Sequence, residues 1–119
     1  MTLINLKNKH PSILVIGDLI LDEYLWGDCS RISPEAPVQI VNVHRENQIL
    51  GGAGNVVHNL KTLGANVDVI SVIGECTTSR QITKLLKNIS VKTSYLIQEK
   101  GRISSKKSRI IAANQQVVR

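Results

Sequence analysis

Between Ile40 and Ile73 the apolar residues of this chain change their period twice, and that limits the folds open to it. Ahead of Asn55 the chain reads as extended pieces. Ile13-Leu-Val-Ile16 is a short continuous apolar run bounded by Pro11 and Gly17, expected as a central strand that delivers Asp18 at its C-terminal end. Val38, Ile40, Val41 and Val43 suggest a second extended piece, ending in the polar Arg45-Glu-Asn-Gln48. From Asn55 the spacing turns helical: Val56, Val57, Leu60 and Leu63 share one face, and Gly64 follows as a C-terminal stop. Val67, Val69, Ile70, Val72 and Ile73 return to a strand closed by Gly74. Thr78-Ser-Arg-Gln81 is a capping-box signature, with Ile82, Leu85, Leu86 and Ile89 at helical spacing behind it. Val91 to Ile97 reads as a strand, Gln98-Glu-Lys-Gly101 as a turn and Ser108 to Ala113 as another strand. The resulting βαβαβ order is the grammar of an α/β domain, a mostly parallel sheet flanked by helices.

Composition agrees with that class. The chain has 119 residues, the length of one ordinary domain, which excludes a two-domain enzyme. Its 42% apolar and 20% charged residues exclude wholesale disorder. Tyr24, Trp26 and Tyr95 are the only aromatics, so Ile, Leu and Val must fill the interior, and these suit strands buried on both faces. Leu19 to Arg31 fits an extended or hairpin excursion, and Ser33-Pro-Glu-Ala-Pro37 forbids a helix interior. Val117-Val-Arg119 is strand-like, so the chain is expected to stop inside an element, as the opening half of something larger.

Charge is unevenly spread. Residues 1–60 hold four basic and six acidic side chains, whereas residues 61–119 hold eleven basic and three acidic ones. A basic half suits nucleic acid, an anionic metabolite or a solvated surface. No arginine-rich run is interleaved with aromatics, which argues against stacking on single-stranded nucleic acid. Cys29 and Cys76 lack any C-x-x-C spacing, so two buried free thiols are expected, with no zinc site and no redox pair. Met1 to Lys7 lacks the apolar region of a signal peptide, and no run approaches the ~20 residues of a membrane helix. A soluble, cytoplasmic protein with no membrane partner is expected.

Gly51-Gly-Ala-Gly-Asn55 is the segment most suggestive of chemistry. Glycines at a helix start let the backbone approach a ligand, and the first-turn N–H groups can bond its oxygens. The dinucleotide fingerprint fails because Val57 stands where a glycine is needed, and the phosphate-binding loop of nucleotide hydrolases fails because Asn55-Val56 replaces its lysine and hydroxyl residue. A glycine-rich cap serving only the turn remains open. Asp18 and Asp22 lie beyond a strand's carboxyl end, where open parallel sheets bind ligands, and could accept hydrogen bonds from sugar or alcohol hydroxyls. A loop-capping Asp and a surface Asp are the alternatives.

Taken in order, Gly17-Asp-Leu-Ile-Leu-Asp22-Glu-Tyr24, Ser30-Arg-Ile-Ser-Pro-Glu-Ala-Pro37, Gly51-Gly-Ala-Gly-Asn55, Leu63-Gly-Ala65 and Asn114-Gln-Gln116 with Arg119 resemble one family. It is the N-terminal part of the heptose 7-phosphate kinases, within the ribokinase-like (PfkB) carbohydrate kinases, often the first half of a bifunctional kinase/adenylyltransferase. The Ser30–Pro37 segment is the most specific part of the resemblance. The resemblance implies a small β-lid built from about 19–45 and 95–119, of a type that covers the sugar and commonly mediates homodimers. It implies that Asp18, Asp22, Gly51, Gly52 and Asn55 hold sugar hydroxyls. Lys107 and Arg109 match a basic pair for the sugar phosphate, with Arg31 a weaker candidate.

The chain departs from the family pattern in places. Gly54 stands where these kinases usually have Ala, Cys76 where an acidic residue is frequent, and Ala113 where a basic one is common. The family's Gly-Ala-Gly-Asp region, with its catalytic Asp and nucleotide-binding segments, does not occur in these residues. The expectation is therefore a sugar-recognition portion of an ATP- and Mg-dependent kinase acting on the anomeric hydroxyl of D-glycero-D-manno-heptose 7-phosphate, in ADP-heptose and lipopolysaccharide-core synthesis, with no catalytic residue and no bound cofactor of its own. The alternatives are a non-catalytic sugar-phosphate-binding or lid-dimerising module, a fragment of another PfkB-type sugar kinase, and a nucleic-acid-binding domain.

Overall fold

The computed structural model describes residues 9–119. Met1 to Lys7, read above for a leader, lies outside them. The chain forms two compact units, one from the described part of Met1–Leu21 with Leu50–Ser105, the other from Asp22–Ile49 with Lys106–Arg119.

The first unit is a parallel sheet with helices on one face. The strands are β1 (Ser12–Ile16), β4 (Asn66–Gly74) and β5 (Leu96–Glu99), ordered β1-β4-β5, and the helices are α1 (Ala53–Thr62) and α2 (Thr77–Asn88). β1 pairs in parallel with β4, Ile13 opposite Val67 and Val15 opposite Val69, and β4 pairs in parallel with β5, Val72 opposite Ile97. Because side chains alternate along a strand, Val67, Val69 and Ile73 point one way and join Val57, Ile82, Leu86 and Val91 in the core. The other face carries Leu14 and Ile16, which are 53% and 71% exposed. β1 therefore lies at an edge of the described sheet with one face covered, and the expectation of a central strand is corrected. Its apolar run fits a strand buried on both faces, but only half of it is buried here.

The helices begin and end as local chemistry dictates. Gly64, with φ at +91°, closes α1, and its N–H reaches Lys61 O. The buried side of α1 is Gly54 and Val57 with half-buried Leu60, while Val56 and Leu63 are 48% and 78% exposed, so the expected apolar face is rotated. α2 starts at Thr77 behind Cys76, with no side-chain cap, so the capping box at Thr78–Gln81 does not form. Thr78 already lies inside the helix, and Ser79 Oγ is engaged with Cys76 and Ser104. The strand expected over Val91–Ile97 shrinks to β5, because Val91 is drawn under the end of α2, where its N–H bonds Leu86 O. No helix among the described residues is long and apolar enough to cross a membrane.

The second unit contributes most of a four-stranded sheet ordered β3-β2-β6-β7: β2 (Leu19–Ile32), β3 (Gln39–Gly52), β6 (Ser105–Ala112) and β7 (Gln115–Val118). β3 runs on through Arg45–Gln48 rather than ending there. The Ser33–Pro37 segment turns β2 into β3, with Ser33 N–H donating to Val38 O and Val38 N–H to Ala36 O. Asn114, with φ at +60°, turns β6 into the antiparallel β7. Gly27 allows β2 and β3 to approach closely, since a Cβ there would lie 2.5 Å from Asn42 O.

Candidate functional site

In the first unit the candidate residues Asp18, Gly51, Gly52 and Asn55 gather at one place. Gly52 is the N-cap of α1 with φ at +57°, and the Ala53 N–H donates to Asp18 O at 2.9 Å. A Cβ on Gly52 would lie 2.6 Å from that same Asp18 oxygen, so two glycine properties are needed at once: the left-handed backbone and the missing side chain. A Cβ on Gly17 would lie 3.2 Å from the Ala53 Cβ, so the β1 exit runs close to the helix start. Gly54 is buried, and a Cβ there would meet the Leu50 Cβ at 2.9 Å, so the missing side chain lets α1 sit tight on the end of β3. The first turn of α1 holds no acidic residue and no capping side chain but carries the exposed Asn55, and the backbone of the exposed Asp18 bonds the helix start. Backbone donors, an amide and a carboxylate side by side suit the mixed donor and acceptor character of sugar hydroxyls.

In the second unit Asp22, Lys107 and Arg109 come together. Alternation sends Asp22, Tyr24 and Trp26 to one face of β2, and Lys107 and Arg109 to one face of β6. Asp22 Oδ1 lies 3.3 Å from Lys107 Nζ and 3.7 Å from Arg109 Nη1, yet it accepts no hydrogen bond and is shut off from solvent. Arg109 Nη1 donates to Tyr24 Oη at 3.1 Å, and its guanidinium lies 5.1 Å from the Tyr24 ring centroid. Tyr24 stacks on Trp26, and Arg45 covers Trp26 at 4.0 Å. Arg31 is exposed nine residues further along β2 from Asp22, roughly 30 Å on a regular strand. It takes no part in this cluster.

The opposite face of the same strands carries residues the sequence reading passed over. Glu23 accepts from Ser108 at 2.7 Å and Gln48 at 3.1 Å, and it pairs with Lys106 at 3.0 Å. Burial pushes the Glu23 carboxyl up, but hydrogen bonds from Ser108, Lys106 and Gln48 outweigh it and hold the group below its ordinary value. Lys106-Lys107-Ser108-Arg109 thus splits by alternation, 106 and 108 to Glu23, 107 and 109 to Asp22. The period-two signal was present in the sequence, but its partner strand lies 85 positions away.

A third cluster surrounds Cys76. Its Sγ lies 3.1 Å from Ser79 Oγ, which lies 2.8 Å from Ser104 Oγ, and Ser104 Oγ accepts the Gly74 N–H at 2.9 Å. The hydrogen bond from Ser79, with backbone bonds from Ser104 and Ser79, lowers the thiol pKa to about 6. Both cysteines are free and half-buried, less buried than expected. Among the described residues no three His, Cys, Asp or Glu side chains gather to hold a metal ion.

Residues 10–118 match the pfkB family of carbohydrate kinases. The chain is 61% identical over 112 residues to the bifunctional protein HldE of Aliarcobacter butzleri, covering 94% of this chain and 24% of that protein. It is 58% identical over 108 residues to the HldE of Campylobacter fetus subsp. fetus, covering 91% and 24%. The chain therefore spans about a quarter of the length of these curated relatives. Among solved structures, a carbohydrate kinase from Agrobacterium tumefaciens superimposes with a TM-score of 0.68 at 20% identity, over 91% of this chain and 34% of that one. The ribokinase of Arabidopsis thaliana, complexed with ribose and ATP, gives 0.68 at 15% identity over 89% and 34%. The fold is thus part of a ribokinase-like one, as the motifs implied. By the extent of the family match, the chain belongs to the pfkB family of carbohydrate kinases.

Proposed function

We propose that this chain is the sugar-recognition portion of a kinase that phosphorylates D-glycero-D-manno-heptose 7-phosphate at its anomeric hydroxyl, serving ADP-heptose and lipopolysaccharide-core synthesis. The observation that carries this reading is the joint presence of two clusters, each built within its own unit. Asp18, Gly51, Gly52 and Asn55 at the start of α1 supply acceptors and donors for hydroxyls. Lys107 and Arg109 supply charge for the 7-phosphate, with Asp22 beside them for a hydroxyl. Arg31 stays outside that cluster and is a secondary candidate. The resemblance carried by the Ser30–Pro37 segment favours a heptose phosphate over other sugars, and the high identity to bifunctional HldE proteins over most of this chain accords with it.

In this reading the chain's own residues bind and orient. Within the one unit the hydroxyl ligands suit a sugar ring, and within the other the cations suit a phosphate, each holding the group it meets in one orientation. ATP with Mg supplies the transferred phosphoryl group in the reaction proposed. The described residues bring together neither a metal-ligating set nor a phosphate-cradling lysine loop, so no step is assigned to the nucleotide here. On the resemblance to the heptose kinases, these 119 residues by themselves are proposed to be inactive in phosphoryl transfer, to act in the cytoplasm and to pair into homodimers through the four-stranded sheet.

The test is a phosphoryl-transfer assay with ATP, Mg and the heptose phosphate. The 119-residue chain should give no product, whereas an HldE relative should lose most of its turnover with the substitution corresponding to Asp22→Ala. Product from the chain itself would reject the claim of inactivity. Unchanged kinetics in the substituted relative would remove Asp22 from the site.

A further inference from the structure

Two cations of β6 converge on a single buried oxygen, and the contact is imperfect on both sides. Asp22 Oδ1 lies 3.3 Å from Lys107 Nζ and 3.7 Å from Arg109 Nη1, longer than the ~2.7–2.9 Å of an aligned charge-assisted hydrogen bond. That oxygen accepts no hydrogen bond although it is closed to solvent. Arg109 spends its Nη1 donor on the neutral Tyr24 hydroxyl rather than on the carboxylate. One carboxylate faces two cations, so the cluster keeps a positive charge. The side chains of Lys107 and Arg109 are 37% and 20% exposed, so an anion can reach them from solvent.

We propose that Asp22 is an internal counter-anion that occupies the anion subsite of Lys107 and Arg109, and that a phosphate monoester dianion takes its place and releases the carboxylate. The inference rests on the reading of these two cations as phosphate ligands and adds how that subsite is filled before the ligand arrives. A phosphate dianion matches the two positive charges, and its three terminal oxygens accept aligned bonds from both side chains at once. Its charge repels Asp22, whose carboxylate then accepts from a hydroxyl of the same ligand. The exchange makes the two halves of recognition depend on each other. Phosphate without a sugar leaves Asp22 without a partner, and a sugar without phosphate finds Asp22 still held by the cations.

On the opposite face, Glu23 holds Lys106 and Ser108 by shorter and better aligned contacts. Those contacts fix the register that presents Lys107 and Arg109. Glu23 therefore serves as the control for charge removal in general.

The test is a titration of the chain with inorganic phosphate and with methyl phosphate at fixed ionic strength, followed by amide chemical shifts. Asp22→Asn removes the competing charge with little change of shape and is expected to tighten phosphate binding roughly two- to fivefold, the worth of one ion pair. Asp22→Ser, a second route to the same loss of charge, is expected to act in the same direction if Asp22→Asn fails to fold. Lys107→Met and Arg109→Met should each weaken binding at least roughly tenfold, with or without Asp22. Glu23→Gln should not tighten it. Unchanged or weaker phosphate binding in both Asp22 variants would overturn the exchange, as would equal tightening by Glu23→Gln. Heptose takes no part in this titration. Tightening by Asp22→Asn in a chain that ignores heptose 7-phosphate would reject the substrate reading alone, while heptose phosphate binding with no Asp22 effect on inorganic phosphate would reject the exchange alone.

Discussion

Ser108 donates its hydroxyl proton to Glu23 at 2.7 Å, joining two strands that are 85 residues apart in the chain. With Lys106 and Gln48 it forms a nearly closed polar knot, since the Glu23 side chain is only 9% exposed. Removing the carboxylate leaves the half-buried Ser108 and Gln48 donors without their partner and frees the exposed Lys106 to water. Glu23→Ala should cost about 1–3 kcal/mol, read as a lower urea midpoint.

The same knot sets an acid limit. The Glu23 carboxyl is held below its ordinary value of 4.5, so its contribution to stability is fully present above about that pH and is lost as pH falls through the lowered value. Urea midpoints measured between neutral pH and pH 3 should fall most steeply below 4.5, and Glu23→Gln should flatten that acid limb. Parallel curves for the wild type and Glu23→Gln would deny Glu23 this role.

Cys76 should alkylate as a thiolate well below the usual range of cysteines. With its pKa at about 6, its reaction with iodoacetamide should rise through a midpoint near that pH in a Cys29→Ser background. Ser79→Ala, which removes the leading hydrogen bond, should shift the midpoint upward. Mass spectrometry of the labelled peptide reads both outcomes, and a midpoint near 9 in the parent would show that the serine contacts do not hold in solution.

The glycine turn can be probed against an internal reference. Gly52 and Gly101 both have positive φ, but a Cβ at 52 would meet Asp18 O at 2.6 Å whereas nothing lies within 4 Å of one at 101. Gly52→Ala should therefore lower stability by about 1–3 kcal/mol and more than Gly101→Ala does, by chemical denaturation. Equal losses would mean that backbone strain, and not the close approach to Asp18, sets the requirement at Gly52.

The parts of this fold that were legible were those written in local chemistry. The β-branched run ending at Gly74 and the helical spacing ending at Gly64 mark their elements well, because glycine in a left-handed conformation stops α1 where the pattern stops. Local chemistry misled where an element boundary lay elsewhere or a tertiary contact competed for the same group. Thr78–Gln81 reads as a cap, but α2 already begins at Thr77 behind Cys76, which puts Thr78 inside the helix. Val91 reads as a strand start, but the core under α2 takes it. Arg45–Gln48 reads as a loop because it is polar, yet it continues β3 with Gln48 held by Glu23. At the candidate site, Asp18 and the glycine turn were legible because they are near an element boundary. The pairing of Asp22 with Lys107 and Arg109 was not, since it depends on the register between β2 and β6, which no local pattern encodes.

Substrate recognition is tested most directly by calorimetric titration of the chain with D-glycero-D-manno-heptose 7-phosphate. The parent chain should bind it saturably, with affinity at least roughly tenfold weaker in Lys107→Met, and weaker again when Asn55→Ala is added, because each removes hydrogen bonds to the ligand. An absence of binding heat at several temperatures, or equal affinities for the parent and both variants, would refute the assignment of this chain to heptose phosphate recognition.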